Sequence, residues 1–454
     1  MLSRLRTVLP PQDPAIPTVL SALRSPRLLR TEVLAGLVVA LALIPEAIAF
    51  SLVAGVDPRV GLFAAFTMAV VTAVLGGRPA MISAATGAVA LVIAPLVKEY
   101  GLDYLLATVI LAGIIQIAAG ILGVAKLMRF VPRSVMVGFV NALAILIALS
   151  QLPHLKNVPW QVYVLVGAGL VIIFLMPKIT TAVPAPLVAI VVLTAITLTF
   201  TIGVPTVGDE GELPSTLPTC LIPNVPFSFE TLSIIGPYAL AMAVVGLLES
   251  LMTAKLVDDI TDSHSDKTRE SLAQGTANVV TGFFGGMGGC AMIGQTMINV
   301  KVSGARTRIS SFLAGAFLLG LVVGLGDLVA KIPMAALVAV MLIVAFGTMD
   351  WHSISPRTLR VMPRSETFVM LATVAVTVAT HNLAYGVVVG VLVAMVAFAR
   401  RVAHFATVEA VAELDTDDDG VIDTRTYRVT GELFFASSND LIYQFDGSSD
   451  FRVR

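Results

Sequence analysis

The chain has 454 residues, of which 57% are hydrophobic and 13% charged, with a net charge of −1 and a mean hydropathy of +0.91. Soluble domains carry about 25% charged residues, so the composition excludes an ordinary soluble protein, and the balanced charge gives no sign of a nucleic-acid partner. The composition is typical of a protein that spans a lipid bilayer.

Apolar runs near the roughly 20 residues needed to cross a bilayer as helix follow one another along most of the chain. After an N-terminal segment at 1–31, the pattern predicts an all-α polytopic membrane protein. It has fourteen membrane elements, at 32–55, 59–76, 84–97, 102–122, 134–151, 160–176, 185–203, 234–257, 268–285, 291–302, 308–328, 333–349, 365–381 and 383–400.

A broken segment occurs twice in this series. Residues 70–86 read VVTAVLGGRPAMISAAT, and residues 279–296 read VVTGFFGGMGGCAMIGQT. In each copy an apolar run stops at a Gly-rich break, and a new short element, the third or the tenth, begins within the hydrophobic part. A duplicated broken element in an apolar chain points to a transporter site between two repeats.

The distance between the two copies predicts two repeats of seven elements. An odd number of elements makes the second repeat enter from the opposite side, so the repeats are inverted. A Pro-rich, acidic loop at 204–233 joins them.

The basic residues predict the orientation. With the N-terminus in the cytoplasm, 21 Lys and Arg lie on or near the cytoplasmic side, 4 lie outside and 4 lie in the tail, which accounts for all 29. The positive-inside rule therefore places both termini of a multi-pass membrane protein in the cytoplasm.

The tail at 402–454 is polar. Residues 415–423, DTDDDGVID, match the start of a calcium loop, but Thr426 stands where that loop has Glu. We therefore interpret residues 415–423 as an acidic linker. A strand is predicted at 425–435 and a helix at 437–445, in a stretch too short for a stable domain of its own.

Five stretches carry a family resemblance. They are ALIPEAIAFSLVAGVDPRVGLFAAF (42–66), GGRPAMISAATGA (76–88), FVPRSVMVGFVNALAIL (130–146), LLESLMTAKLVDDIT (247–261) and QGTANVVTGFFGGMGGCAMIGQTMINVKVSGARTRIS (274–310). On these motifs the chain resembles the SulP family of anion transporters, also called solute carrier family 26. The tail resembles the first strand and helix of the family's cytoplasmic STAS domain, most of which is missing.

The resemblance implies a transmembrane domain at 32–401 divided into two parts. A core domain (about 32–122 and 234–328) moves against a gate domain (about 134–203 and 333–400), usually in a homodimer. The remaining residues, 402–454, are the linker and the STAS-like fragment.

The third and tenth elements are expected to begin near the bilayer midplane, where their free N–H groups and dipoles converge on an anion. The alternative is that their small residues only permit tight helix packing. The candidate substrate-binding residues at the two starts are Ser83, Ala84, Ala85, Thr86, Gly87, Ala291, Met292, Ile293, Gly294, Gln295 and Thr296. Glu46 in the first element is a further candidate substrate-binding residue.

Two acids lie inside apolar spans, Glu46 in the first element and Glu249 in the eighth. A charge there costs a few kcal/mol, so each acid is either a hydrogen-bonded structural group or a carrier of the coupling ion. In sodium-coupled relatives an acid matching Glu249 and a Thr matching Thr253 help to hold the ion. Because Glu249 has no other acid near it in its span, a proton fits at least as well.

Two positions depart from the resemblance. Many relatives have a basic residue where Gln295 stands and a neutral Gln where Glu46 stands. A site without a fixed cation suggests that a proton accompanies the anion, and the Gln295 amide can donate a hydrogen bond to an oxyanion.

The sequence therefore predicts a secondary active transporter for a small anion, with a proton or sodium as the coupling ion. Sulfate, hydrogen carbonate and dicarboxylates such as fumarate or succinate remain open, with a preference for a carboxylate. A passive anion channel of the same fold would predict a cation at position 295. An intramembrane enzyme would need a nucleophile with a base, or a metal cluster. The sequence shows neither, and it predicts no cofactor.

Overall fold

The computed structural model describes residues 17–123, 132–179, 184–403, 407–414 and 424–430. Helices dominate these residues, so the expected mostly helical architecture with several apolar helices is confirmed. Within the described part, seven helices are long and apolar enough to cross a membrane, and three shorter apolar helices lie at Ala185–Thr199, Arg308–Gly324 and Met334–Thr348.

The described residues of the first half form seven α-helices. They are α1 (Val19–Arg24), α2 (Pro26–Ala54), α3 (Pro58–Leu75), α4 (Gly87–Ile121), α5 (Arg133–Ser150), α6 (Trp160–Ile179) and α7 (Ala185–Thr199). A two-residue strand, β1 (Ser83–Ala84), comes directly before α4.

The second half begins with α8 (Phe229–Thr261) and α9 (Lys267–Phe283), followed by the two-residue strand β2 (Cys290–Ala291). The short helix α10 (Ile293–Met297) continues into a π-helical turn at Ile298–Val302. The later elements are α11 (Arg308–Gly324), α12 (Gly326–Ala330), α13 (Met334–Thr348), α14 (Pro356–Val361), α15 (Arg364–Thr380), α16 (Leu383–Ala403), β3 (Thr407–Leu414) and β4 (Thr424–Thr430).

Side-chain caps mark where several helices begin. Thr86 accepts a hydrogen bond from the Val89 N–H at the start of α4, and Ser228 does the same for the Thr231 N–H at the start of α8. Such caps satisfy N–H groups that the first helical turn leaves unpaired. The chain consequently turns into each helix at a fixed residue.

Helix α4 consists of two arms. Gly101 separates them with φ 81° and ψ −168°. Residues with a Cβ rarely adopt this positive-φ conformation, whereas glycine adopts it readily. The sequence analysis predicts separate elements at 84–97 and 102–122, and the interruption lies between those two ranges.

The helices pack in two groups. The first helix group contains α2, α3, α4, α8, α9 and α11, with its most extensive contacts between α4 and α9, α4 and α8, and α11 and α2. The second helix group contains α5, α6, α7, α13, α15 and α16, where α15 packs on α16 and α5 and α13 packs on α6. The described helices make smaller contacts across the two groups, for example between α13 and α2.

Several boundaries and one tail element differ from the prediction. Helix α2 begins at Pro26 rather than at 32, and α8 spans Phe229–Thr261 rather than 234–257. Helix α4 begins at Gly87 rather than at 84, and α10 begins at Ile293 rather than at 291, because the preceding residues form strands. In the tail, β3 pairs with β4 in an antiparallel hairpin, and β3 is a strand that the sequence analysis does not predict. The linker at 415–423 and the predicted helix at 437–445 lie outside the described residues.

Candidate functional site

The two broken segments meet as a pair of short strands. Strands β1 and β2 are antiparallel, with Ser83 opposite Ala291 and Ala84 opposite Cys290. The Met292 N–H extends the pair by donating to the Ile82 carbonyl at 2.8 Å. Because the strands run in opposite directions, α4 and α10 leave the pair in opposite directions, and their starts lie close together.

The strand pair requires small residues. A Cβ on Gly289 would lie 2.0 Å from the Ala84 carbonyl oxygen, and Gly288 has φ +75°. Ala84, Ala85 and Ala291 are fully buried. The Gly-rich sequence of the second break is therefore a packing requirement of the strand pair as well as a helix break.

Neutral polar side chains hold the strand pair in place. Asn278 donates to the Gly289 carbonyl at 3.1 Å and accepts from the Gly289 N–H at 2.9 Å. The Ala291 N–H donates to Ser250 Oγ at 3.0 Å, and Gln274 donates to Ser83 Oγ at 2.7 Å. Asn278 and Ser250 thereby take the place of the water that irregular backbone would otherwise need in an apolar interior.

These supporting residues are not among the site residues predicted from the sequence. Gln274 and Asn278 are four residues apart and therefore lie on one face of α9, and Ser250 follows Glu249 directly. Polar residues at helical spacing inside a membrane element are the signal that could have found them.

Glu46 and Gln295, the two departures noted above, are partners. Gln295 Nε2 donates to Glu46 Oε1 at 2.6 Å, and this contact joins α2 to α10. Glu46 is 8% exposed and Gln295 is 3% exposed. The sequence suggests that the Gln295 amide donates to the substrate, but in the structure one of its N–H groups is directed to a protein carboxylate. Its buried Oε1 has no hydrogen-bond partner within the described part of the chain.

Glu249 contacts a cysteine. The Cys290 thiol donates to Glu249 Oε2 at 3.0 Å, and its sulfur lies 3.1 Å from Thr86 Oγ1. The structure therefore brings Glu249 to the strand pair and to the residue that caps α4. Thr253 is close in sequence, but its hydroxyl donates to the Glu249 backbone carbonyl at 2.8 Å. No hydrogen bond in the described residues joins Thr253 to the Glu249 carboxylate.

The two Thr residues of the repeated segments occupy different positions. Thr86 caps α4, whereas Thr296 lies within α10 and accepts from the Ile82 N–H at 3.0 Å. The two segments are similar in sequence, but their Thr hydroxyls have different roles in the structure. Both are buried, and Thr296 supports the strand pair instead of capping a helix.

The two helix starts differ in accessibility. Gly294 is exposed, and a Cβ added to it would meet no atom within 4 Å. Ile293 beside it is partly exposed. Gly87 is buried, and a Cβ there would lie 2.8 Å from the Phe50 ring and 3.2 Å from Ile147. The start of α10 is thus open, while side chains from α2 and α5 cover the start of α4.

A buried cation lies in the first broken segment but is paired. Arg78 donates to Asp258 Oδ1 at 3.1 Å, and Lys267 Nζ donates to Asp258 Oδ2 at 2.6 Å. The Glu270 carboxylate accepts from the N–H groups of Gly77 and Arg78. This cluster ties the first break to α8 and α9, and the Asp258 carboxylate offsets the charge of Arg78.

A separate cavity of about 450 Å³ lies between α2, α7 and α11. Its lining is apolar apart from Thr194 and includes Ile44, Ile190 and Leu321. Such a lining does not suit an anion. Among the described residues, no cluster of three His, Cys, Asp or Glu side chains could hold a metal ion.

Comparisons with known proteins agree on one family. The model of the sulfate permease family matches residues 29–162 and 153–373. The chain is 54% identical over 422 residues to the putative sulfate transporter YbaR of Bacillus subtilis, covering 92% of this chain and 86% of that protein.

Two solved structures are similar to the chain. The transmembrane domain of a cyanobacterial bicarbonate transporter, BicA, aligns with a TM-score of 0.70 and 26% identity, over 82% of this chain and 98% of that one. The murine Solute Carrier 26 family member A9 anion transporter aligns with a TM-score of 0.75 and 18% identity, over 94% of this chain and 78% of that one. At that identity, the second match shows the fold alone.

The strand pair predicts the effect of one added methyl group. Gly289→Ala should lower the thermal stability of the purified protein, because its Cβ would overlap a backbone oxygen that cannot move independently. Overpacking typically costs about 1–3 kcal/mol, and occasionally more. Gly320→Ala is the matched control, since a Cβ there meets nothing within 4 Å. Equal melting temperatures for the two variants would contradict the pairing of β1 with β2.

Proposed function

Because the chain belongs to the sulfate permease family, we propose that it is a secondary active transporter that carries a small oxyanion or carboxylate across a membrane by alternating access. The observation that carries the proposal is the pairing of β1 with β2. It brings together two helix starts inside an apolar protein, the arrangement that transporters use for anionic substrates.

The anion site of the proposal lies between the starts of α4 and α10. Each start presents backbone N–H groups and the positive end of a helix dipole, which attract an anion without a basic side chain. Helical backbone continues from Ile293 through Val302, so the helical segment behind the second start is longer than α10 alone. The open space at Gly294 supports entry from that side.

The proposed substrates are sulfate, hydrogen carbonate and small dicarboxylates such as fumarate or succinate. The names of the relatives, a putative sulfate transporter and a bicarbonate transporter, support the first two. A carboxylate fits a site built from backbone N–H groups and neutral side chains, because planar oxyanions accept several such hydrogen bonds.

The proposed movement is that of the first helix group against the second. Their separate packing supports a core domain and a gate domain, and the duplicated break supports two inverted repeats of seven elements. Phe50 and Ile147 cover the start of α4 from α2 and α5, one in each group. Relative motion of the groups would uncover it. We also propose a homodimer in a bacterial plasma membrane with both termini in the cytoplasm, as the distribution of basic residues favours.

A proton is the proposed coupling ion. Glu46 and Glu249 both lie beside the helix starts, and in the described part of the chain each carboxylate has one neutral side-chain partner. Thr253 directs its hydroxyl to a backbone carbonyl, which favours a proton over a sodium ion held jointly by Glu249 and Thr253. Sodium coupling is the second candidate, on the family resemblance of these two residues.

The position of Gly294 generates a prediction for transport. Gly294→Leu should abolish uptake of labelled sulfate, hydrogen carbonate and fumarate into proteoliposomes, because the new side chain would fill the open space at the start of α10. Gly320→Leu, at another glycine with free space around it, should retain uptake. The melting temperature of both variants should match the parent. Unchanged uptake by Gly294→Leu would rule out this location.

The proton assignment predicts how gradients act on uptake. An inward proton gradient should accelerate uptake by the parent, and a sodium gradient should have little effect. Glu249→Gln mimics the protonated acid, so it should lose the acceleration while retaining exchange of substrate for substrate. Uptake that follows sodium and ignores pH would instead assign Glu249 and Thr253 to a sodium site. If the Glu249→Gln variant stays fully proton-coupled, Glu46 is the next candidate.

A further inference from the structure

Cys290 carries a buried thiol that has no role in the proposed transport cycle as described above. It lies on β2, is 0% exposed and contacts two groups of the candidate site. Its sulfur is 3.0 Å from Glu249 Oε2 and 3.1 Å from Thr86 Oγ1. The thiol therefore connects the acid of α8 to the residue that caps α4.

The direction of these hydrogen bonds depends on the charge of Glu249. An ionised carboxylate only accepts hydrogen bonds, so the thiol S–H must point to Glu249. The sulfur is then free to accept from the Thr86 O–H. Thr86 Oγ1 also accepts from the Val89 N–H at 3.4 Å. In this state the hydroxyl proton of Thr86 is directed to the sulfur, away from any anion.

Protonation of Glu249 at Oε2 reverses the chain of donors. The acid O–H then donates to the sulfur, and the thiol S–H turns to Thr86 Oγ1. That oxygen has two lone pairs, which the S–H and the Val89 N–H now occupy. The Thr86 O–H must find another acceptor, and Thr86 is the residue that immediately precedes the first turn of α4.

We propose that Cys290 is a positioning residue, which transmits the protonation of Glu249 to Thr86 so that the Thr86 hydroxyl donates to the anion at the start of α4. This inference rests on the proposed proton-coupled function. It explains how a proton on one helix strengthens an anion site on another without direct contact between the two ligands. No proton passes along the chain, since only the donor directions change.

Other charged groups do not intervene between Glu249 and Cys290. The elements packed on α8 include α4, α9, α10, α16 and β2. Within the described residues, Cys290 is the titratable side chain that forms a hydrogen bond with the Glu249 carboxylate. The charged residues of α4 flank the Gly101 break, and those of α9 lie in its first turn: Lys98, Glu99, Asp103, Lys267, Arg269 and Glu270. Helix α10 has none, and Arg400 of α16 lies near the end of that helix.

The test uses Cys220→Ser as the parent, because it leaves Cys290 as the single thiol and Cys220 is exposed in a loop. In this parent the S–H stretching band in the infrared spectrum should shift on acidification, as the acceptor changes from a carboxylate to a hydroxyl. Adding Glu249→Gln should make the band independent of pH. A band that ignores both pH and Glu249→Gln would overturn the inference.

Transport by two further variants separates the relay from simple packing. Cys290→Ser keeps a group that donates and accepts, so it should retain acceleration of sulfate, hydrogen carbonate or fumarate uptake by an inward proton gradient. Cys290→Ala should lose that acceleration while it retains exchange. If Cys290→Ala remains accelerated, the inference fails although the proposed function stands. If the Cys220→Ser parent itself shows no acceleration, proton coupling fails, and the infrared titration still decides whether Cys290 follows Glu249.

Discussion

Two interrupted segments lie inside the apolar body of this protein, and each carries backbone N–H and C=O groups that no helix satisfies. Water is scarce in such surroundings, so these groups must find protein partners. The two segments satisfy part of each other's backbone hydrogen bonding by pairing Ser83–Ala84 with Cys290–Ala291. Asn278 and Ser250 satisfy further backbone groups of the second segment, and Gln274 holds the Ser83 side chain of the first. The candidate site depends on this pairing, because the helices that begin beside it take their positions from it.

The two acids of the apolar spans contact different residues beside this pairing. Glu46 reaches α10 through Gln295, and Glu249 reaches β2 and the cap of α4 through Cys290. Each helix start is therefore linked to one acid through one neutral side chain. Under the proposed proton coupling, the proton and the anion favour each other's binding reciprocally. The proton then supplies the positive charge that the neutral Gln295 does not.

Much of this arrangement can be predicted from the sequence. The duplicated Gly-rich break predicts that residues 70–86 and 279–296 contribute to one site. The apolar spacing predicts a mostly helical membrane protein. Glu46 and Glu249 are visible because an acid in an apolar run is costly. The acids and the apolar runs can each be detected within a single stretch of the chain, and the duplication can be detected by comparing two stretches of the sequence.

The missed features depend on contacts between distant stretches. A two-residue strand has no period to detect, so the register of Ser83 opposite Ala291 and the later starts at Gly87 and Ile293 are not predictable from spacing. Thr86 and Thr296 look equivalent in sequence, yet only Thr86 caps a helix. Cys290 resembles an ordinary small buried residue until the structure places its thiol beside Glu249.

The central claim is that one anion binds between the starts of α4 and α10. A cryo-electron microscopy map of the protein in lipid nanodiscs, with saturating amounts of the anion that uptake assays identify, tests it directly. The account predicts anion density within hydrogen-bond distance of backbone N–H groups near Gly87 and Gly294. Density elsewhere, with these helix starts in contact only with protein, would contradict it.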